Sequence, residues 1–241
     1  MAVYFFSDAH LGEADQASEK IKLRRLSAFF DLVERDGERL YILGDLFDFW
    51  FEYKYAIPKD NLRVVFRLAA MVESGIAVHY IAGNHDFWLG DFLSREAGLE
   101  IHRDRVEVTE QGKRLFLIHG DGLAPGDRGY RILKRILRHP LNIWLYRKLP
   151  VDWGIPLARR VARKSRNYTS GRPGDFAPDY ENYAAGRIAA GFDGVIIGHL
   201  HVPVLKELGG GVYLNTGDFI EHFSYGKLEQ GRLTLAYIEG D

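Results

Sequence analysis

The sequence predicts an α/β fold that carries a basic helical insertion, and three observations lead to this prediction. Residues 1–120 alternate short apolar runs with longer amphipathic runs, and residues 202–241 change to shorter apolar runs separated by glycine turns. Between these parts, residues 123–185 form a strongly basic segment that interrupts the pattern. Alternating strands and helices favour right-handed crossovers and a largely parallel sheet with helices outside it.

The first elements follow from the period of their apolar residues. VYFFS at Val3–Ser7 has four apolar residues in succession, which predicts a buried strand that ends at the next residue, an aspartate. Apolar residues recur at helical spacing over 20–36 and over 60–75, so two helices are predicted there. Two more buried strands are predicted at 39–45 and at 76–83.

The remaining strands divide into two kinds. RLFLIHG at 114–120 and DGVIIGH at 193–199 have the same design as the first strands, because an apolar run ends in polar residues. Three shorter strands are predicted near the end of the chain, and we expect them to form an antiparallel sheet. These strands are VPVLKEL, VYLNTGDF and RLTLAYIE, with turns predicted at Gly209–Gly211 and Gly226–Gly231.

The formal charge of −1 conceals a strong asymmetry along the 241 residues. From Arg128 to Arg172 there are 13 basic residues and one acidic residue, a charge of +12, so the rest of the chain carries −13. Such asymmetry indicates an anionic partner for the basic segment. We therefore predict a core formed by residues 1–122 and 186–241. Residues 123–185 are predicted to be a cap of two or three helices, broken at Pro140, Pro150 and Pro156.

The composition also excludes several classes of protein. No stretch approaches the ~20 apolar residues that a transmembrane helix needs. The first ten residues lack the basic region of a secretory signal peptide, and the absence of cysteine excludes disulfides and thiolate metal sites. We therefore expect a cytoplasmic globular protein.

Polar side chains follow each buried strand, at the edge where α/β sheets bind ligands. The segments are Asp8-Ala9-His10, Gly44-Asp45, Gly83-Asn84-His85-Asp86, His119-Gly120-Asp121 and Gly198-His199-Leu200-His201. Carboxylate, amide and imidazole donors without thiolates suit manganese, iron, zinc or nickel. The number of donors exceeds what one ion needs, and it fits two ions that share a carboxylate. Such a pair can activate a water and stabilise in-line displacement at phosphorus.

In this order the segments resemble the signature of the calcineurin-like metallophosphoesterases. The resemblance implies a four-layer α/β sandwich of two mixed sheets flanked by helices, with the basic segment as a helical cap. It implies two divalent ions with Asp45 as a shared ligand. It also implies that His85 contacts the scissile phosphate or protonates the leaving group, so that Asp45, Asn84 and His85 are the expected catalytic residues. The ligands expected on the two ions are Asp8, His10, Asp45 and His201, and Asp45, Asn84, His119 and His199.

A narrower resemblance rests on YILGDLFDFW, the run from His119 to Tyr130 and a cap placed before GHLHVP. These features are similar to the UDP-2,3-diacylglucosamine pyrophosphatases of lipid A biosynthesis. The resemblance implies hydrolysis of this UDP-linked acylated sugar to UMP and 2,3-diacylglucosamine 1-phosphate, with water attacking the α-phosphorus. It also implies manganese as the first choice of metal and peripheral contact with the cytoplasmic face of the inner membrane. The substrate-binding residues that it implies are Asn84, His85, Asp127, Tyr130, Ser165, Thr169, Arg172 and His199.

The sequence departs from that family at His85, where familiar members have arginine. Arginine offers phosphate a permanent charge and two parallel donors, whereas histidine offers a titratable proton. The departure keeps open a phosphodiesterase or nucleotide pyrophosphatase that acts on another substrate. A non-catalytic scaffold is a third alternative, which the intact donor set disfavours. No obligate protein partner is inferred.

The basic segment admits three interpretations. Tyr130, Leu133, Ile136 and Leu137 fall on one helical face, and this face either packs on the core with the basic face in solvent or stays partly exposed. An exposed apolar face would hold acyl chains at an anionic membrane surface. A nucleic acid groove is disfavoured, because the aromatic residues are grouped with aliphatic residues rather than spaced for stacking.

Several further polar residues are expected to have supporting roles. Asp48 and Trp50 follow the Gly44-Asp45 turn and are expected to buttress it. Asp86 and Asp121 are expected either to orient metal-binding imidazoles or to cap turns. Four histidines belong to no ligand motif and are expected to be structural or exposed. They are His79, His102, His139 and His222.

Overall fold

Two β-sheets pack face to face, with helices on their outer sides, in a computed structural model that describes residues 1–158, 160 and 173–239. In chain order the strands are β1 (Ala2–Phe6), β2 (Gly37–Ile42), β3 (Ala77–Ile81), β4 (Glu100–His102), β5 (Arg105–Glu110), β6 (Lys113–Ile118), β7 (Gly194–Ile197), β8 (Val204–Leu208), β9 (Gly211–Asn215), β10 (Ser224–Glu229) and β11 (Arg232–Tyr237). The helices are α1 (Gln16–Asp36), α2 (Leu62–Glu73), α3 (Phe92–Arg95), α4 (Arg128–Leu137), α5 (Pro140–Tyr146), α6 (151–158) and α7 (Pro173–Ala189).

Both sheets are mixed. The first has the order β11-β10-β1-β2-β3-β4, in which β1 to β4 run parallel and β10 and β11 pair antiparallel. The second has the order β5-β6-β7-β9-β8, with a parallel centre and an antiparallel strand at each edge. This arrangement confirms the predicted α/β class and the two mixed sheets flanked by helices.

The prediction for the end of the chain was wrong in one respect. The late strands do not form one antiparallel sheet, because β8 and β9 join the second sheet while β10 and β11 join the first. The predicted turn at Gly226 is in fact part of β10, a strand that the sequence pattern missed together with β4 and β5. A Cβ at Gly226 would lie 2.4 Å from Leu214 Cδ2 in the facing sheet, so glycine here permits close packing of the two sheets.

Three apolar clusters hold the layers together. Phe29 and Val33 of α1 and Leu68 of α2 pack on the outer face of the first sheet. Phe5, Leu117 and their neighbours fill the space between the sheets. Strand β1 contributes to both of these clusters, which explains its continuous apolar sequence. The third cluster lies between α7 and the second sheet.

Helices α4, α5 and α6 follow β6 in the region predicted as a cap. Pro140 begins α5, as expected for a proline at the first helical position. The predicted break at Pro156 is wrong, because residues 151–158 are continuously helical. Helix α7 crosses the predicted boundary at residue 185, and its Tyr180, Ala184 and Ile188 pack in the third cluster. Among the described residues, no helix combines the length and the apolar character needed to cross a membrane.

Candidate metal centre

The carboxyl ends of five strands from both sheets meet at one site. In the first sheet, Asp8 and His10 follow β1, Asp45 follows β2, and Asn84 and His85 follow β3. In the second sheet, His119 follows β6, and His199 and His201 follow β7. The structure thus brings together every metal ligand that the sequence motifs suggested.

The first group of donors comprises Asp8, His10 and His201. Asp8 Oδ1 lies 3.6 Å from His10 Nε2 and 3.4 Å from His201 Nε2. Asp8 Oδ1 and both ring nitrogens of His10 are buried and lack a hydrogen-bond partner among the described residues. Buried polar atoms without partners are costly, and a divalent cation between these donors would satisfy them. The group therefore fits a metal ion.

The second group comprises Asp45, Asn84, His119 and His199. His119 Nδ1 lies 2.7 Å from the carbonyl oxygen of Leu43, to which it donates, so the neutral ring has its lone pair on Nε2. This Nε2 lies 3.0 Å from Asn84 Oδ1 and 3.4 Å from Asp45 Oδ2. Three lone pairs that face one another need a cation between them. This group also fits a metal ion.

Asp45 lies between the two groups. Its Oδ2 is 3.7 Å from His10 Nε2 of the first group and 3.4 Å from His119 Nε2 of the second. Its Oδ1 accepts a hydrogen bond of 2.8 Å from the backbone N–H of His85. A Cβ at Gly83 would lie 2.0 Å from this Oδ1, so glycine is required for the close approach. Asp45 therefore occupies the position that a shared carboxylate would need.

Five of the donor residues have left-handed backbone conformations. Asp, Asn and His adopt this region more readily than most residues, but such conformations cost about 1–3 kcal/mol each. Their φ angles are 55° for Asp8, 42° for His10, 52° for Asp45, 68° for His199 and 57° for His201. The surrounding hydrogen bonds hold these conformations, and their concentration at one site is typical of a functional centre.

The charges of the donors respond to burial and to one another. Burial lowers the pKa of His10 to about 4, and it lowers the pKa of His199 to about 4 with help from His119. Burial also opposes the charged form of His119, but the Asp45 carboxylate outweighs burial and raises the pKa of His119 to about 10. The Asp45 carboxylate thus favours positive charge at His119 Nε2, and a divalent ion held by these donors would supply that charge.

Two side chains and one backbone N–H support the donors. Ser7 donates a hydrogen bond to Asp8 Oδ2, as does the backbone N–H of His199 at 2.8 Å. Lys22 is buried on α1, and its Nζ donates to the carbonyl oxygens of Ala9 at 3.1 Å and His10 at 2.9 Å. Sequence reasoning missed Ser7 and Lys22, because a serine inside a strand and a lysine on a helix carry no motif.

Asp48 and His85 lie on one side of the first group. Asp48 Oδ1 is 3.4 Å from His85 Nδ1 and 4.0 Å from His10 Nδ1. His85 Nδ1 also lies 3.1 Å from the carbonyl oxygen of Asp48, which leaves Nε2 for a ligand. The sequence pattern assigned Asp48 only to the turn, whereas its carboxylate faces two imidazoles of the site.

Helix α4 meets the centre through polar side chains. Lys134 Nζ lies 2.8 Å from Asp121 Oδ2, Tyr130 Oη donates to the same oxygen at 2.8 Å, and Arg138 donates to the carbonyl oxygen of Gly83 at 3.0 Å. Asp121 thus holds a cap helix in place. Asp86 accepts a hydrogen bond of 2.9 Å from the Gly83 N–H. The carboxylates of both residues therefore contact groups other than the imidazoles of the centre.

The orientation of α4 overturns one sequence-based interpretation. Its apolar face does not pack on the core with the basic face in solvent. Leu133 and Ile136 of this face and the adjacent Ile132 are exposed, whereas Tyr130 and Leu137 are half-buried. Lys134 and Arg138 are turned toward the centre, and Arg131 and Arg135 stay in solvent. The apolar face is therefore available to a ligand or a surface outside the protein.

The structure brings some of the residues predicted to bind substrate into the centre, places others at the edge of the cap, and does not describe the rest. Asn84, His85 and His199 lie in the centre, and Asp127 and Tyr130 lie at the start of α4. The Tyr130 hydroxyl is engaged by Asp121. Ser165, Thr169 and Arg172 lie outside the described residues, so their predicted contacts stay predictions.

Comparison with known proteins agrees with the motifs. Residues 1–203 match the family described as calcineurin-like phosphoesterase. A UDP-2,3-diacylglucosamine hydrolase of Porphyromonas gingivalis is 33% identical over 98% of this chain and 97% of its own length. A protein of the same name from Edwardsiella ictaluri is 30% identical over 100% of this chain and 84% of its own length.

A solved structure supports the fold independently. The structure of an archaeal phosphodiesterase superposes with a TM-score of 0.51 at 14% identity, and it covers 98% of this chain and 99% of the other. At this identity the likeness shows the fold alone. The family match over residues 1–203 and the two relatives show that this chain belongs to the calcineurin-like phosphoesterase family.

Proposed function

We propose that the protein hydrolyses the pyrophosphate bond of UDP-2,3-diacylglucosamine to UMP and 2,3-diacylglucosamine 1-phosphate. The observation that carries this proposal is a two-group donor centre bordered by a basic helix whose apolar face is exposed. A substrate that joins a pyrophosphate to acyl chains needs a metal centre for the phosphate groups and an apolar surface for the acyl chains. Relatives that match nearly the whole chain bear the name of this hydrolase.

We propose that Asp8, His10, Asp45 and His201 hold one ion, and that Asp45, Asn84, His119 and His199 hold the other. Two divalent ions bound there would activate water and neutralise charge on the phosphate oxygens. Manganese is the proposed metal because these oxygen and nitrogen donors suit it, with iron, zinc and nickel as alternatives.

The protein's own groups then position the substrate. His85 Nδ1 is held by the Asp48 carbonyl, which leaves Nε2 to face the substrate, and in the doubly protonated ring Nε2 would donate to a phosphate oxygen or to the leaving group. Arg138, bonded to the carbonyl of Gly83 beside Asn84 and His85, places a permanent positive charge at the edge of the centre. We propose that both residues orient the pyrophosphate.

The cap is proposed to hold the lipid part of the substrate. Its exposed apolar side chains stand among basic residues, an arrangement typical of helices that lie at anionic membrane surfaces. These side chains are Ile132, Leu133, Ile136, Leu141, Trp144, Leu145, Trp153 and Leu157. We propose peripheral contact with the cytoplasmic face of the inner membrane, with Asp127, Ser165, Thr169 and Arg172 contacting the UDP-sugar.

The proposal is tested by incubating the protein and Mn²⁺ with UDP-2,3-diacylglucosamine in oxygen-18 water. We expect UMP release, with the heavy oxygen in UMP because water attacks the α-phosphorus. UDP-N-acetylglucosamine, which lacks the two acyl chains, serves as the matched control and should turn over far more slowly. Label in the sugar phosphate would contradict the proposed point of attack.

The second candidate is a phosphodiesterase or nucleotide pyrophosphatase of another substrate, favoured by histidine at position 85. The same assay separates the two functions. Absence of UMP release together with rapid turnover of bis(p-nitrophenyl) phosphate would favour this alternative. Absence of both activities, with metal bound, would favour a non-catalytic scaffold.

A further inference from the structure

A further group of side chains that could hold a metal ion lies away from the metal centre, on β3 and on β4 at the edge of the first sheet. His79 stands in β3, and Glu100 and His102 stand in β4. The ligand atoms of all three lie within 4.8 Å of one another. His79 precedes Asn84 by five residues, which corresponds to roughly 16 Å for an extended chain. The group is therefore separate from the two groups described above.

Strand register places the three side chains together. In the parallel pair β3–β4, His79 is opposite Glu100, and Ile81 is opposite His102. Residues two apart in a strand point to the same face, so Glu100 and His102 share a face with His79. The backbone N–H of Ala82 donates to the carbonyl oxygen of His102 at 2.8 Å, which holds this register at the end of the short strand.

The distances match those in a coordination shell. His79 Nδ1 lies 3.2 Å from His102 Nε2 and 3.2 Å from Glu100 Oε2. Two ligands at zinc distances of 2.0–2.1 Å in tetrahedral geometry are about 3.3 Å apart. We propose that His79, Glu100 and His102 form a binding site for a divalent transition-metal ion of the zinc type, with a fourth position open to water.

The environment of the imidazoles favours ligation. Burial lowers the pKa values of His79 and His102, so both rings are neutral at neutral pH and offer a lone pair. Tyr41 stacks on His79 at 4.5 Å between ring centroids and limits the rotation of that ring. The Glu100 side chain is 64% exposed, which provides an entry path for an ion from solvent.

The site would join an edge strand to its neighbour. β4 has three residues, is an edge strand of the first sheet and pairs with β3. A short edge strand gains few ladder hydrogen bonds, and an ion shared by β3 and β4 would add a link between them. The proposal concerns metal binding at the sheet edge and does not depend on the catalytic function proposed above.

Zinc itself is the probe for the test. Full-length protein is equilibrated with buffered Zn²⁺, and bound zinc per chain is measured for the wild type and for the variants His102→Ala and Glu100→Gln. Both substituted residues are on the edge strand, so the Tyr41–His79 stacking is retained. His139→Asn is the matched control, because it removes an exposed imidazole and keeps an acceptor at the start of α5.

We expect the wild type and His139→Asn to bind one zinc equivalent more than His102→Ala at the same free Zn²⁺. Loss of an outer partner of a metal site weakens binding by about 10–100-fold, and loss of a direct ligand should weaken it further. Crystals soaked in Zn²⁺ should show an anomalous peak between the three side chains. Equal zinc content in wild type and His102→Ala, or no anomalous peak there, would show that His79 and His102 form only a hydrogen-bonded pair.

Discussion

Helices α1 and α4 are both amphipathic, yet they present opposite faces to the protein. α1 buries Leu26, Phe29 and Val33 and directs most of its charged residues to solvent, although Lys22 is buried and Arg25 lies over the Phe223 ring. α4 directs Lys134 and Arg138 inward and leaves Ile132, Leu133 and Ile136 exposed. α1 is therefore held by apolar burial, whereas α4 is held by charge and hydrogen bonds.

The difference assigns different tasks to the two regions. Burial of a side chain such as Phe29 contributes about 1.5–3 kcal/mol, so α1 gives the metal loops a rigid support. The polar contacts of α4 are weaker and more sensitive to salt, and its exposed apolar residues remain free to bind a lipid. The proposed phosphate chemistry and the proposed binding of acyl chains would thus occupy two sides of the same helix.

The strongest test of the rigid region is the substitution of Asp45. Both Asp45→Asn and Asp45→Ala should reduce kcat by more than about 10³-fold, because either change removes the shared carboxylate, a larger loss than that of one oxyanion-hole donor. Asp45→Asn keeps an acceptor for the His85 N–H and should retain the wild-type circular dichroism spectrum and Tm. Activity of Asp45→Asn within tenfold of the wild type would rule out the bridging role.

A second test concerns how α1 supports the metal loop. Lys22→Met leaves the carbonyls of Ala9 and His10 without their donor, and we expect a loss of about 2–4 kcal/mol in the free energy of unfolding. The Mn²⁺ concentration for half-maximal activity should rise by about 10–100-fold, because the loop that carries His10 is less well held. Lys20→Met, an exposed change on the same helix, should alter neither quantity.

The donor set could be predicted because each donor directly follows an apolar strand, and carboxyl ends of parallel strands meet at one edge. The orientation of α4 could not, because an amphipathic pattern defines two faces without saying which one meets the protein. The deciding partners, Asp121 and the Gly83 carbonyl, belong to other segments. β10 was missed for a similar reason. Gly226 looks like a turn residue in the sequence, but it lies in a strand and allows the facing sheet to pack closely, and the residues beside it in sequence give no sign of that sheet.

The polar attachment of α4 can be tested through Asp121. Burial works to raise the pKa of Asp121, but His119, Lys134 and Arg138 outweigh burial and lower it to about 2. The lowered pKa corresponds to roughly 2 kcal/mol of stability at neutral pH. This contribution is fully present above the ordinary pKa and is lost as the pH falls through about 2. Urea unfolding should therefore show Asp121→Asn to be destabilised at pH 7 and progressively less so below pH 4.

A double-mutant cycle assigns part of this effect to Lys134. Asp121→Asn and Lys134→Met should show a coupling energy within about 0.5–3 kcal/mol, because the two groups are in contact. Arg135→Met, an exposed change on α4, should add independently to Asp121→Asn. Additive effects of Asp121→Asn and Lys134→Met would show that α4 is held by other contacts.

The smallest effect on stability is expected on the exposed apolar face of the cap. Trp153 is 74% exposed, so Trp153→Ala should change the free energy of unfolding by less than about 0.5 kcal/mol. If the cap holds acyl chains, the same change should raise KM for UDP-2,3-diacylglucosamine by about fivefold, which corresponds to about 1 kcal/mol of lost apolar burial. Turnover of a small soluble phosphodiester should be unchanged. Tyr55 lies outside the cap and is 88% exposed, so Tyr55→Ala is the matched control. It should leave KM for UDP-2,3-diacylglucosamine and turnover of the small phosphodiester unaltered. An equal rise in KM for both variants would show that the exposed face of the cap has no special part in lipid binding.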